Sequence, residues 1–74
     1  MRKKYLFLFD SEMSLSRLYN LREEARLNCQ TSNQRKKFID YYKDENNFFY
    51  GSEKQLKEFC KQYDFNIDDF YKIC

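Results

Sequence analysis

The chain has 74 residues and a net charge of +2, with one glycine, no proline and no histidine. A chain of this length forms one small domain with a marginal core, so residues 1–74 are predicted to be a single domain. Without histidine the chain lacks the usual base near neutral pH and a common zinc ligand, and one glycine excludes a glycine-rich phosphate loop. We therefore predict a protein that is not an enzyme and that holds no metal and no cofactor.

The first apolar segment is too short to act as a membrane signal. The run Tyr5–Phe9 stops at Asp10, whereas a secretory signal needs an apolar core of roughly 7–15 residues and a spanning helix needs about 20. The cysteines, Cys29, Cys60 and Cys74, are odd in number and widely spaced, which is not typical of a disulfide framework. Reduced thiols fit this pattern, so the sequence predicts a cytoplasmic protein without membrane contact.

A strand and a helix are predicted at the start of the chain. Tyr5–Phe9 is short, rich in aromatic residues and bounded by charge, as strands are. Ser14 or Ser16 is a suitable cap for a helix that extends to about Cys29, because its hydroxyl can accept from a free backbone N–H. The polar residues 28–34 after this helix are typical of a loop.

A β-hairpin is predicted next. Lys36–Lys43 alternates between two faces, with Ile39 and Tyr41 on one of them. The stretch KDENN at 43–47 supplies turn residues, and the aromatic run Phe48–Tyr50 has the composition of a strand. Gly51 follows, where a positive φ is easiest to adopt. Residues 36–50 are therefore predicted to form the second and third strands.

Two helices are predicted in the last third of the chain. Ser52 and Gln55 have the spacing of a capping box. A core-facing apolar stripe follows at helical spacing, formed by Leu56, Phe59, Cys60 and Tyr63. A short helix is expected to begin at Asn66 and to run to Cys74, with Phe65 and Phe70 at the two positions of a hydrophobic staple.

These elements predict an α+β fold. Their order is strand, helix, strand, strand, helix and short helix, with no internal repeat. The simplest arrangement is a small antiparallel or mixed three-stranded sheet with the helices on one face. The opposite face would then carry aromatic side chains towards solvent.

Protein binding is the function that the composition favours. The seven Tyr and eight Phe are more than so small a core easily buries, and aromatic residues are enriched at interfaces. Strand parity places Asp40 on the same face as Phe38 and Tyr42, and an unpaired carboxylate is costly to bury, so this face is predicted to point outward. The predicted contact residues, for a second copy or a foreign protein, are Phe38, Tyr42, Phe48, Phe49 and Tyr50.

Nucleic-acid binding is the alternative. Residues 1–43 hold ten Lys/Arg against five Asp/Glu, a net charge of +5, whereas residues 44–74 have a net charge of −3. Basic clusters precede two of the predicted strands and would lie together if these strands were neighbours, with aromatic side chains available to stack on bases. The residues of this alternative site are Arg2, Lys3, Lys4, Arg35, Lys36 and Lys37.

Two further hypotheses concern the biological role. The dominance of Lys, Asn, Phe, Tyr and Ile over Gly, Ala and Pro indicates an AT-rich genome, as in many low-GC bacteria and their phages. A small protein from a phage or mobile element that stoichiometrically inhibits a bacterial defence or host protein fits this composition. A homo-oligomer whose aromatic surface encloses a small ligand, such as a nucleotide, is the third possibility.

Overall fold

A computed structural model describes residues 3–74 of the chain. The central strand comes first in the sequence, two helices follow it, and the two edge strands come later. In chain order the elements are β1 (Tyr5–Phe9), α1 (Leu15–Asn28), α2 (Ser32–Tyr42), β2 (Phe48–Gly51), α3 (Glu53–Tyr63), a 3₁₀ turn (Ile67–Asp69) and β3 (Phe70–Lys72). The predicted α+β class and three-stranded sheet are confirmed.

The sheet has the strand order β2-β1-β3, and both pairings are antiparallel. Phe7 is paired with Phe49 on one side and with Lys72 on the other. Backbone hydrogen bonds continue the β1–β3 ladder beyond β3, since Leu6 donates to the Cys74 carbonyl and Ile73 donates to the Leu6 carbonyl, both at 2.8 Å. The three-residue strand β3 is thus extended to the end of the chain.

The alternation of β1 side chains divides the core into two parts. Leu6 and Leu8 are fully buried on the face covered by α1 and α2. Phe7 points to the opposite face and packs against Leu56 and Cys60 of α3. The expectation that the helices cover one face is therefore wrong, because β1 is apolar on both faces and each face binds its own helices.

The segment predicted as the second strand is the helix α2. Thr31 Oγ1 accepts from Gln34 N–H, and the Gln34 side chain accepts from Thr31 N–H, which is a complete capping box. Phe38, Ile39 and Tyr42 then lie on one face of the helix and contact the core. The residues after α2 form a turn, in which Phe48 donates to the Glu45 carbonyl at 3.1 Å. The predicted hairpin is thus wrong, although β2 itself is a strand.

The predicted C-terminal helix forms only as one 3₁₀ turn. Asn66 caps it, because its Oδ1 accepts from Asp68 N–H at 3.0 Å. The chain then extends as β3 beside β1. Pairing with the edge of β1 satisfies backbone groups that would otherwise be unpaired in the core, so the strand replaces the rest of the predicted helix.

The ends of α1 and α3 follow the sequence signals closely. Ser14 caps α1 by accepting from Arg17 N–H, and the capping box of Ser52 and Gln55 opens α3 as predicted. Asp64, with φ at 60°, ends α3 in the left-handed conformation. None of the helices within residues 3–74 is both long and apolar enough to span a membrane.

Candidate binding surfaces

The five residues predicted to bind a protein do not form one surface. Phe38 is only 7% exposed and belongs to the core between the sheet, α1 and α2. Tyr42 and Phe48 are half-buried beside it. Phe49 lies on the α3 face of the sheet, and Tyr50 is at the exposed edge of β2. The parity argument that turned Phe38 outward is wrong because this segment is a helix.

Tyr42 has a structural environment. Its ring lies 4.8 Å from Phe38 and 5.1 Å from Phe48, measured between ring centroids. Its hydroxyl donates to Glu24 Oε1 at 2.8 Å. Burial, followed by this hydrogen bond to a carboxylate, raises the pKa of Tyr42 to about 12. Tyr42 therefore connects α2 to β2 and α1.

A continuous set of aromatic rings covers the outer part of the α3 face, and we call it the aromatic surface. Its rings come from β1, β2, α3, the following turn and β3. Neighbouring ring centroids are 5.0 to 5.5 Å apart along the chain of contacts that passes from Phe49 through Phe59 and Phe65 to Phe9. The residues of the aromatic surface are Phe9, Phe49, Phe59, Tyr63, Phe65 and Phe70.

The left-handed residue at the end of α3 builds this surface. Asp64 reverses the chain directly after the last helical residue, so that Phe65 N–H donates to the Cys60 carbonyl at 2.9 Å. The Phe65 ring then stacks on Phe59, with centroids 5.5 Å apart and an interplanar angle of 5°. Phe65 also contacts the rings of Phe9 and Phe70, which β1–β3 pairing brings together.

Part of the aromatic surface is open to solvent. Tyr63 is 58% exposed and Phe65 is 40% exposed. An open groove of about 480 Å³ adjoins Phe65, and its lining includes Lys57 and Lys61 of α3 and the exposed Ile67. Helical spacing predicts burial for Phe59 and Tyr63 alike, and burial of Tyr63 is wrong because α3 ends at this residue.

The two basic clusters meet in space, as the nucleic-acid alternative requires. Arg35 Nη2 donates to the Lys4 carbonyl at 2.8 Å, and Lys4 Nζ lies 6.0 Å from the centroid of the Tyr50 ring. Lys36 and Tyr50 line the same groove. The prediction that two neighbouring strands bring the clusters together is wrong, because the second cluster, Arg35 to Lys37, belongs to the helix α2.

The remaining members of the basic clusters lie elsewhere. Lys3 is exposed before β1, and Arg2 lies outside the described residues. Lys37 lines a second groove, of about 380 Å³, between α1 and α2, together with Glu24 and the exposed Tyr41. This α1–α2 groove is open to solvent, and the hypothesis of a small ligand enclosed by several copies stays a prediction.

The three cysteine side chains are withdrawn from solvent to different extents. Cys60 is buried, Cys29 and Cys74 are half-buried, and all three are free thiols. Burial, and next the neighbouring Cys29 thiol, raises the pKa of Cys74 to about 11, which keeps it in the weakly nucleophilic neutral form. Within residues 3–74, no three or more Cys, Asp or Glu side chains are grouped so that they could hold a metal ion.

The chain matches no protein-family model, and no curated protein or solved structure is significantly similar to it. What the surfaces bind is therefore inferred from their own chemistry.

Proposed function

We propose that the protein is a non-catalytic protein-binding module and that the aromatic surface is its contact site. The observation that supports this proposal most strongly is the stacked pair Phe59–Phe65 with the exposed Tyr63 beside it. Contiguous exposed apolar area on a small domain marks a contact site more often than a chance feature. The rings are also held by one another, so binding a partner would order few additional side chains.

The composition of the aromatic surface suits a protein partner. Tyr63 offers both apolar area and a hydroxyl, which is the reason that Tyr is enriched at interface centres. Lys57 and Lys61 line the adjoining groove, and charged residues beside the apolar centre of an interface influence association rates. Such a surface would accept an apolar side chain of the partner between Phe65 and Ile67.

The biological role is a finer part of the proposal. A module of this kind could act by covering a functional surface of its partner, as a stoichiometric inhibitor of a bacterial defence or host protein would in the cytoplasm. The support for this role is the AT-rich residue usage and the small size of the domain. A second copy of the chain is the alternative occupant of the same surface.

Site-specific photo-crosslinking tests the proposal. A photo-reactive phenylalanine analogue is placed at Tyr63 and, as a matched control, at Tyr19, which is exposed on α1 away from the aromatic surface. We expect a defined crosslinked partner from position 63 in lysate of the source cells, competed by the unlabelled parent protein but not by the Phe65→Ser variant. Sedimentation of the pure protein separates a second copy from a foreign partner. Crosslinks of equal yield at both positions, or none at position 63, would refute the proposal.

A further inference from the structure

The groove lined by Lys36 and Tyr50, on the opposite side of the sheet from the aromatic surface, combines cations with an exposed ring. It has a volume of about 360 Å³ and lies between α2 and the outer strand β2. Residues one helical turn apart on α2 form one wall, and the Tyr50 side chain of β2 forms the other. The lining residues of this β2 groove are Ser32, Arg35, Lys36, Ile39, Asp40 and Tyr50.

The charge of the β2 groove is positive. Arg35 and Lys36 come from α2. Lys4 belongs to the segment before β1, and its backbone carbonyl accepts a 2.8 Å hydrogen bond from the Arg35 guanidinium. Asp40 is the acidic residue in the lining, and its Oδ1 is paired with Lys43 Nζ at 3.2 Å, so its charge is offset locally. The N-terminus of α2 opens at the same end, where the helix dipole favours anions.

Tyr50 supplies a flat apolar face beside these cations. Its side chain is 36% exposed, and Lys4 Nζ lies 6.0 Å from the ring centroid. Sites for unpaired nucleic acid combine two components. Cations neutralise the phosphates, and an aromatic ring beside them stacks on a base. We propose that the β2 groove binds a nucleotide unit of single-stranded nucleic acid, with its base on Tyr50 and its phosphates at Lys4 and Lys36.

A single strand fits this arrangement better than a duplex. The bases of a duplex are stacked on one another, so the face of a base is available to Tyr50 only where the strand is unpaired. The cations near the ring come from two elements, Arg35 and Lys36 from α2 and Lys4 from the segment before β1, so that more than one phosphate of a strand can be contacted. This inference does not depend on the aromatic surface, since the two sites share no residue.

Fluorescence anisotropy with a labelled oligonucleotide of about 12 nucleotides at about 50 mM salt tests the inference. Tyr50→Leu keeps apolar bulk on β2 but removes the stacking ring, and we expect a loss of affinity of about 5- to 100-fold. Tyr41→Leu is the matched control, because the Tyr41 ring is exposed in the α1–α2 groove instead. Circular dichroism verifies that both variants are folded.

The adjacent lysines provide the second comparison. Lys36→Ser should weaken binding and reduce the slope of log K against log salt by about 0.7, the value for one phosphate contact in a single strand. Lys37→Ser should change both quantities less, because Lys37 faces the other groove. Equal effects of Lys36→Ser and Lys37→Ser would indicate attraction by net charge alone and would overturn the site.

Competition by three unlabelled ligands distinguishes a single strand from other ligands that also carry phosphates and bases. We expect an unlabelled single strand to compete, whereas duplex of the same length and free nucleoside monophosphate compete poorly. Competition by the free monophosphate at equal concentration would overturn the strand in favour of a small nucleotide ligand, and equal competition by the duplex would overturn stacking on Tyr50. Absence of binding to the oligonucleotide at about 50 mM salt would overturn the inference altogether.

Discussion

The Tyr42 hydroxyl donates a 2.8 Å hydrogen bond to Glu24 Oε1, and this bond joins α2 to α1. The Tyr42 ring also contacts Phe38 and Phe48. We expect Tyr42→Phe to lower the free energy of unfolding by about 1 kcal/mol, because one hydrogen bond is lost. Tyr42→Ala should cost about 3 kcal/mol, since its ring contacts are lost as well. Urea unfolding measures both.

The exposed neighbour provides the control for this prediction. Tyr41 is mostly solvent-exposed, so Tyr41→Phe should leave the urea midpoint nearly unchanged. A Tyr42→Ala protein as stable as the parent would show that Tyr42 is free to serve as a contact residue, as strand parity suggested.

Alkaline pH should destabilise the fold through two groups. Burial and the Glu24 hydrogen bond raise the pKa of Tyr42 to about 12, and burial with the nearby Cys29 raises that of Cys74 to about 11. In the unfolded chain, Cys and Tyr ionise near roughly 8.5 and 10. Folding therefore favours the neutral forms, and their contribution to stability is complete below about pH 8.5 and lost as the pH rises through 11 and 12.

Denaturant melts across this pH range check the assignment. Cys74→Ala should remove part of the decline in the free energy of unfolding between about pH 9 and 11, and Tyr42→Phe part of the decline between about pH 10 and 12. Comparison of each variant with the parent cancels the ionisation of the exposed lysines. Parallel curves for parent and variants would contradict the stated cause.

The sequence predicts β1, α1 and α3 because each has a clear local signal. The signal for α2 was also present, since Thr31 and Gln34 have the same spacing as the capping residues Ser52 and Gln55. Alternation in residues 36–43 is misleading, because Phe38, Ile39 and Tyr42 face the core at helical spacing while Tyr41 is exposed, and a short apolar segment alone does not distinguish a helix from a strand. A capping box is therefore a stronger indicator here than a short alternation.

The aromatic surface could not be predicted in the same way. Phe9 and Phe70 are neighbours only because the C-terminal residues pair with β1, and a three-residue strand has almost no pattern of its own. The stacking of Phe65 on Phe59 needs the left-handed conformation of Asp64. An aspartate tolerates this conformation, but its presence in a sequence does not predict it. The contact between the two basic clusters could not be predicted either, because it joins α2 to the segment before β1 through tertiary packing.

Gly51 is required for space rather than for a positive φ, which it does not have. A Cβ on this residue would lie 2.8 Å from Gln55 Oε1 and 3.0 Å from the Phe49 ring. Gln55 is the side chain that accepts from Ser52 N–H in the capping box. Gly51→Ala should displace it and lower stability by about 1 kcal/mol, the value of a helix cap.

A double-mutant cycle identifies this mechanism. If the cost of Gly51→Ala arises at Gln55, then in a Gln55→Ala background the glycine substitution should cost clearly less. Thermal unfolding of the four proteins supplies the coupling. Additive effects would place the strain at Phe49 instead.

Phe59 is the centre of the aromatic surface and contacts Phe49 and Phe70, which pack against Phe7, Leu56 and Cys60. Its ring contacts Phe49, Tyr63 and Phe65 at centroid distances of 5.0, 4.9 and 5.5 Å. We expect Phe59→Ala to cost about 3 kcal/mol, a large fraction of the stability of so small a domain. Tyr63→Ala should cost less than about 1 kcal/mol, because that side chain is mostly exposed. Equal losses in chemical denaturation would contradict the assigned burial of these two residues.

Asp64 links the stability of α3 to the shape of the aromatic surface. Its φ of 60° is the left-handed conformation, which costs a β-branched residue roughly 1–2 kcal/mol and glycine almost nothing. Asp64→Gly should therefore keep the parent stability to within about 0.5 kcal/mol, whereas Asp64→Val should lose at least about 1 kcal/mol. The near-ultraviolet circular dichroism of the stacked rings should persist in Asp64→Gly and weaken in Asp64→Val at a temperature where both are folded. Identical spectra with a large loss of stability would mean that Phe65 reaches Phe59 without the left-handed turn.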